Sequence, residues 1–166
     1  MTNPINSKTF LEAYDLYADA LFRHCYFRTF DRELARDLVQ ESFTRTWLYI
    51  AEERNRIENI RAFLYRTLHN LIVDEIRKKK SFSLDELSEK GFSPTDNSFE
   101  KMGSKILCGD IIRLAGSLDP KYREAVLMRY LDDLSPKEIA AILGITENAV
   151  SVHINRGLNM LKELAK

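Results

Sequence analysis

The segment that most constrains the fold is residues 134–166, which carries two helix-start signals separated by one glycine. Ser135 occupies a predicted N-cap, Pro136 follows at the first helical position, and Glu138 completes a capping box. Gly144 can adopt the positive φ that commonly ends a helix. A second cap signal follows that glycine. The segment is therefore predicted to form a helix-turn-helix.

The second helix of this pair is predicted to begin after an N-cap at Thr146 and to bury Val150, Ile154 and Leu158. In a DNA-reading helix-turn-helix, the second helix lies in the major groove, where Asn and Arg pair with adenine and guanine. An ordinary helical hairpin with a solvated polar face would give the same pattern, so both interpretations stay open at this point. The residues predicted to face outward are Asn148, Ser151, His153, Asn155 and Arg156.

The first 80 residues predict three amphipathic helices that could share one core. The first spans about residues 7–28, and Asp31 is predicted to cap the second. A loop is predicted at residues 52–59 because they lack periodic apolar content. The third helix starts near residue 60 and ends in the basic run 77–80, where positive charge complements the helix dipole. Part of that basic run therefore has a purely structural explanation.

Charge is distributed unevenly along the chain, although 25 Lys and Arg residues balance 25 Asp and Glu residues overall. Residues 81–104 contain two basic and five acidic residues, together with several Ser, Gly and Pro residues, and are predicted to be a flexible linker. Net neutrality is unusual for a nucleic-acid binder, but the acidic linker leaves room for basic patches on its two flanks. We predict an all-α fold with two small bundles, residues 1–80 and 105–166.

Several classes of site are not expected. The histidines His24, His69 and His153 are isolated in sequence, Cys25 and Cys108 lack CxxC spacing, and no nucleotide-binding or hydrolase motif occurs. We therefore expect no metal, no cofactor and no enzymatic activity. No apolar run approaches the roughly 20 residues of a membrane span, and no secretory signal opens the chain, so a cytoplasmic protein without membrane insertion is expected.

Three stretches, in the correct order, resemble the extracytoplasmic-function (ECF) group of bacterial RNA polymerase sigma factors. That family's −35-reading domain resembles SLDPKYREAVLMRYLDDLSPKEIAAILGITENAVSVHINRGLNMLK. Its polymerase-binding helix is similar to DLVQESFTRTWLYI, and its −10-reading helix is similar to AFLYRTLHNLIVDEIRKKKS. The resemblance implies a protein that binds core RNA polymerase and promoter DNA and directs transcription initiation. It also implies that an anti-sigma factor could hold the chain inactive.

The resemblance assigns roles to residues in each stretch. Single-stranded −10 DNA is expected in a basic groove, with a flipped base in the loop before the third helix. The residues implied in polymerase binding are Asp37, Leu38, Gln40 and Glu41. Those implied at the −10 element are Arg56, Asn59, Asn70, Asp74, Arg77, Lys78, Lys79 and Lys80. Those implied at the −35 element are Thr146, Asn148, Ser151, His153, Asn155 and Arg156.

The recognition helix departs from the family pattern. Members usually carry Lys and Arg where this chain has Ser151 and His153, and another Arg in place of Leu158, so that only Arg156 is reliably charged. Phosphate contacts dominate DNA affinity, so a weaker −35 contact is expected. Two alternatives remain from the sequence: a helix-turn-helix regulator that does not engage polymerase, and a helical protein–protein adaptor.

Overall fold

A computed structural model describes residues 7–52, 56–85 and 112–166, with side chains described as far as Ser81 in the second range. Every regular element in these ranges is a helix. The chain divides into two compact units, Met1–Gly91 (unit 1) and Phe92–Lys166 (unit 2). The predicted all-α class with two bundles is confirmed. No helix in the described ranges is long and apolar enough to cross a membrane.

Unit 1 consists of three helices, α1 (Ser7–Thr29), α2 (Arg32–Ala51) and α3 (Ile60–Asp85), and each packs against the other two. Asp31 caps α2, because its carboxylate accepts a hydrogen bond from the Leu34 backbone amide at 3.0 Å. That satisfies one of the amides left without a partner at a helix start. The predicted cap is confirmed.

Aromatic side chains set the packing of α1 against α2. The Phe10 ring lies 6.0 Å from Phe43 and 5.1 Å from Trp47, and the Tyr14 ring lies 4.7 Å from Phe43. Such tilted and edge-to-face pairs add about 0.5–1.5 kcal/mol each beyond area burial. The large aliphatic side chains in the core of unit 1 include Leu21, Leu64, Leu68 and Ile72, which are at most 1% exposed.

The end of α3 differs from the prediction. The helix continues through Asp85, so residues 81–85, which were assigned to the linker, are helical. Lys and Arg are good helix formers, and Ser81 Oγ donates a hydrogen bond to the Lys78 carbonyl at 2.8 Å within the continuing helix. The basic run 77–80 is therefore not in the last turn, and the helix dipole does not explain it. The rest of the predicted linker lies outside the described residues.

Unit 2 contains a helical turn at residues 112–115 followed by α4 (Pro120–Tyr130), α5 (Pro136–Leu143) and α6 (Glu147–Leu164). Helix α6 packs against both α4 and α5. A Cβ added to Gly157 would lie only 2.6 Å from Cγ2 of Val126, so α4 and α6 approach closely at this glycine. The core between these helices is formed by Val126, Met128, Leu134, Ile139 and Val150.

The helix-turn-helix is confirmed in detail. Ser135 Oγ accepts from the Glu138 amide at 3.2 Å, and the Glu138 carboxylate accepts from the Ser135 amide at 2.9 Å, which completes the capping box. Gly144 adopts φ 68°, in the left-handed region that glycine tolerates best. Thr146 Oγ1 then accepts from the Ala149 amide at 3.1 Å and starts α6.

Cys25 is a free, fully buried thiol on the inner face of α1. Burial raises its pKa from 9.0 to about 11, against smaller opposing effects of a hydrogen bond with Thr29 and the charge of Arg28. The thiol is therefore protonated and unreactive near neutral pH. Cys108 lies outside the described residues.

Candidate polymerase and nucleic-acid interfaces

The outward face of α2 carries the polar residues that the resemblance implied in polymerase binding. Asp37 and Gln40 are exposed and Glu41 is half-exposed. Gln40 Nε2 donates to Tyr14 Oη at 3.1 Å, which ties this face to α1. Arg45 and Glu41 form an ion pair at 2.6 Å within the helix. An exposed pair of this kind is worth about 0–1 kcal/mol, so Glu41 can exchange partners at low cost.

Leu38 does not lie on that face. It is only 9% exposed and packs into the core of unit 1, because consecutive residues of a helix point about 100° apart. Two residues that the sequence analysis missed continue the outward row instead. Thr44 lies three residues after Glu41, and Leu48 lies four residues after Thr44. Leu48 is 61% exposed. The spacing that places Leu48 on the polar face of α2 could have been read from the sequence.

The outward face of α3 brings together the residues implied at the −10 element. Asn70, Asp74 and Arg77 are all exposed, and their spacings of four and three place them on one side of the helix. Arg66, which the sequence analysis missed, is also exposed and lies one turn before Asn70. Polar and basic side chains therefore line about three turns of this face.

The basic run that follows on α3 is exposed on every side of the helix. Lys78 Nζ approaches the Glu75 carboxylate at 4.0 Å, at the limit of an ion pair. Arg77, Lys79 and Lys80 make no ion pair with any side chain that the structure describes. Charge that is not neutralised within the fold is available to phosphates.

The loop before α3 is described only from residue 56. Arg56 is exposed there, and Asn59 is exposed at the start of the helix. Asn59 Oδ1 accepts from the Ala62 amide at 3.0 Å, and the Asn59 carbonyl accepts from the Phe63 amide. Asn59 therefore caps α3, a structural role that the sequence analysis did not assign to it.

His24 of α1 and Tyr65 and His69 of α3 form an aromatic cluster between the two helices. His24 is 0% exposed, and its ring stands edge-to-face to Tyr65 at 5.1 Å and 6.3 Å from His69. His24 and His69 are far apart in sequence, and the packing of α1 against α3 brings their rings together. Within the described ranges, no group of three or more His, Cys, Asp or Glu residues is placed to hold a metal ion.

The outward face of α6 presents both polar and apolar groups. Asn148, Ser151 and Asn155 are exposed as predicted, and Ser151 Oγ donates to the Glu147 carbonyl at 3.2 Å. Val152 was missed, although it is 38% exposed and lies between Asn148 and Asn155 at spacings of four and three. The Thr146 side chain is exposed but already accepts the capping hydrogen bond. The apolar Val152 side chain therefore lies between the polar residues of this face.

His153 and Arg156 turn toward α4 and away from this row. His153 was predicted to face outward, but it is only half-exposed, with its ring edge-on to Tyr122 at 5.5 Å and its Nδ1 atom buried. Arg156 is exposed, and its Nη1 atom donates to Tyr122 Oη at 3.5 Å. The pKa of Tyr122 is lowered, chiefly by this hydrogen bond, which stabilises the phenolate more than the phenol.

Comparisons with known proteins place both units in one family. The family model for sigma-70 region 2 matches residues 13–82, and that for sigma-70 region 4 matches residues 108–161. The ECF RNA polymerase sigma factor SigW of Bacillus subtilis is 30% identical over an alignment of 169 positions. The alignment covers 93% of this chain and 87% of SigW. SigM of the same organism is 28% identical over 156 residues, covering 92% and 93% of the two chains.

A solved structure gives the same assignment of fold. The sigma factor RpoE, in complex with the anti-sigma factor NepR from Bartonella quintana, superposes with a TM-score of 0.73 at 21% identity, covering 95% of this chain and 97% of that one. At this identity the likeness shows the fold alone. The alternative of a regulator that does not engage polymerase is not favoured by the sequence matches. The chain belongs to the ECF RNA polymerase sigma factors.

Proposed function

We propose that this sigma factor binds core RNA polymerase through the outward face of α2. The observation that carries the proposal is the row formed by Asp37, Gln40 and Glu41, which is polar, accessible and anchored to α1 by the Gln40–Tyr14 hydrogen bond. Leu48 ends this row with an apolar side chain that a partner would cover. A mixed polar and apolar face of this kind suits a protein partner with a basic rim.

Promoter melting is assigned to α3 and to the loop before it. Arg66, Asn70, Asp74 and Arg77 line the face that meets the −10 strand, and Lys78–Lys80 neutralise nearby phosphates. Single-stranded DNA is held by such a basic groove together with pockets for unstacked bases. Arg56, at the edge of the loop, is the proposed contact to a flipped base. Asn59 combines its capping role with the same loop surface.

The −35 element is assigned to α6. Asn148 and Asn155 are exposed and are the proposed contacts to base edges in the major groove, and Ser151 adds an exposed hydroxyl beside them. Val152, between the two asparagines, is suited to contact a thymine methyl group. Among residues 147–156 of α6, only Arg156 carries a full positive charge, so we expect base-specific contacts of modest affinity.

The chain itself carries out no chemical reaction in this proposal, because nucleotide addition belongs to the polymerase that it recruits. Its action is placed in the cytoplasm, where the polymerase works. No cofactor is required. An anti-sigma factor is proposed as a further partner, because RpoE of Bartonella quintana was solved in complex with one. A partner recovered from the native host supports this only if it displaces core polymerase from the chain.

Two charge reversals test polymerase binding directly. Asp37→Arg and Glu41→Lys should each abolish co-purification with core polymerase, since both reverse charge at the centre of the proposed docking face. Asp19→Arg makes the same kind of change at an exposed position of α1 and should leave co-purification intact. Equal binding by all three variants, with unchanged helix content, would exclude the α2 face as the docking surface.

Run-off transcription tests the function as a whole. Core enzyme is incubated with the purified chain and a pool of promoter fragments, and the transcripts are sequenced. Initiation at defined start sites that depends on the added chain is the expected result. Absence of such transcripts from every template would overturn the proposed function.

A further inference from the structure

Tyr122 is the point at which the start of α4 meets the recognition helix. The Lys121 ammonium group lies 4.9 Å from the centroid of the Tyr122 ring, within the range of a cation–π interaction. From the other helix, Arg156 Nη1 donates to the hydroxyl of the same tyrosine at 3.5 Å. Two cations from different helices therefore flank one aromatic side chain.

No acidic side chain that the structure describes forms an ion pair with either of these cations. Lys121 and Arg156 are both exposed, and neither forms an ion pair with a side chain in the described part of the chain. Asp119 is the acidic residue adjacent in sequence, and its carboxylate accepts the Lys121 backbone amide at 3.2 Å as the cap of α4. Two like charges held on one tyrosine repel each other, and a bound anion would relieve that repulsion.

The position of Arg156 favours a phosphate over a base as its ligand. Its contact with Tyr122 turns it toward α4, to the flank of α6, away from the row of Asn148, Val152 and Asn155. When a recognition helix lies in the major groove, its central row meets base edges and its flanks meet the DNA backbone. A cation from α4 beside that flank extends the same backbone contact.

We propose that Lys121, Tyr122 and Arg156 form a binding site for a backbone phosphate at the −35 element. Lys121 and Arg156 supply charge, and Tyr122 is a positioning residue that fixes Arg156 through its hydroxyl and carries Lys121 on its ring. The proposal rests on the proposed −35 role of α6. It accounts for the weakly basic recognition helix, because a neighbouring helix supplies the positive charge that Ser151 and His153 lack.

The close approach of α4 and α6 fixes the position of Arg156 relative to Tyr122. Gly157 follows Arg156 directly, and its missing Cβ lets the backbone of α6 pack against Val126 and Tyr122. The Arg156 backbone is therefore fixed relative to Tyr122 before DNA arrives. A side chain that is already oriented loses less conformational entropy on binding.

The test measures holoenzyme binding to a promoter recovered by run-off transcription and to the same fragment with its −35 hexamer replaced, over a series of salt concentrations. Lys121→Gln and Arg156→Gln should each weaken binding to both fragments by the same factor. Each should also reduce the slope of log K against log salt by about 0.9, as expected for one lost phosphate contact. Lys162→Gln, at an exposed position in the last turn of α6, should change neither quantity.

Tyr122→Phe isolates the positioning role, because it keeps the ring and removes the hydroxyl. It should weaken binding by about threefold without changing the salt slope, and it should have no further effect in an Arg156→Gln background. Independent, multiplicative effects of these two substitutions would overturn the positioning role. A Lys121→Gln slope equal to that of Lys162→Gln, or an effect confined to the fragment with the intact hexamer, would overturn the phosphate site. Lack of promoter-dependent initiation by the unaltered chain would instead refute the proposed function.

Discussion

Units 1 and 2 are both helical, but different interactions fix their helices. In unit 2, local contacts define the helix ends: Asp119, Ser135 and Thr146 cap their helices, and Gly144 ends α5 in a left-handed conformation. In unit 1, the helices have 20 to 26 residues, and contacts between residues far apart in sequence, such as Phe10 with Trp47, set their arrangement. Local contacts therefore mark most helix ends in unit 2, whereas in unit 1, where Asp31 and Asn59 also cap their helices, long-range aromatic contacts contribute more to how the helices pack.

The same contrast holds for the binding surfaces. The α3 face of unit 1 carries several cations from one continuous helix, so its charge can be read from consecutive residues. In unit 2 the charge is divided between helices, with Lys121 on α4 and Arg156 on α6 joined only through Tyr122. A binding surface on one helix can be predicted from helical periodicity. A binding surface shared by two helices can be identified only once the packing of those helices is known.

The largest expected effect comes from the core of unit 1. Leu64→Ala should lower the free energy of unfolding by about 2–5 kcal/mol, because Leu64 is fully buried and the lost side chain leaves a cavity. The chain has one tryptophan, Trp47, so urea unfolding followed by its fluorescence reports on unit 1. Leu48→Ala removes the same atoms from an exposed position and should change stability by less than about 0.5 kcal/mol. Equal losses for the two variants would contradict a packing-determined unit 1.

Alkaline pH should destabilise unit 1 through Cys25. The pKa of Cys25 is about 11 in the folded state and 9.0 ordinarily, so between these pH values the native state keeps a proton that the unfolded state has lost. The free energy of unfolding therefore falls as pH rises through this window, by at most roughly 2–3 kcal/mol. Cys25→Ala should remove this part of the pH dependence of urea unfolding. An identical pH profile in the variant would show that the thiol makes no contribution.

In unit 2, the left-handed turn should be the most sensitive position of the local kind. Gly144→Ala should destabilise the helix-turn-helix by about 1–2 kcal/mol, because a Cβ disfavours φ 68°. Among the described residues, no heavy atom beyond Gly144, its two chain neighbours and the adjoining helix backbone lies within 4 Å of the added Cβ, so the loss would come from backbone conformation. Amide hydrogen exchange of α5 and α6 measures it. Gly144→Asn should cost less, since Asn tolerates this region better, and the reverse order would refute the explanation.

The features that the sequence predicted correctly are those set by contacts within a few residues. The caps at Asp31, Ser135 and Thr146 and the turn at Gly144 were correct, because each depends on groups within a few residues. Most residues that the family resemblance implied are exposed on α2, α3 and α6, and their binding roles stay predictions. Arg66 and Val152 were missed although their spacing placed them on the faces already identified.

The family resemblance put Leu38 with the docking residues, yet its spacing on α2 already placed it in the apolar stripe, and the structure buries it. The other features that the sequence did not predict depend on tertiary packing. His153 was expected outside, and Tyr122 of another helix covers its ring. The contact between His24 and His69 joins α1 to α3 and has no local signal. Helical periodicity predicts which residues share one face of a helix. It does not predict which residues of another helix contact the border of that face.

The smallest expected effect belongs to the capping box. Ser135→Ala should destabilise α5 by about 1 kcal/mol, because the Glu138 amide loses its acceptor while the Glu138 carboxylate can still accept from the residue 135 amide. Ser135→Asp keeps an acceptor at the cap and should restore most of the loss. Hydrogen exchange of the α5 amides measures both. If local signals specify unit 2, the Ala substitution should speed exchange most strongly in the first turn of α5. A uniform change through α4, α5 and α6 would show that unit 2, like unit 1, depends chiefly on its shared core.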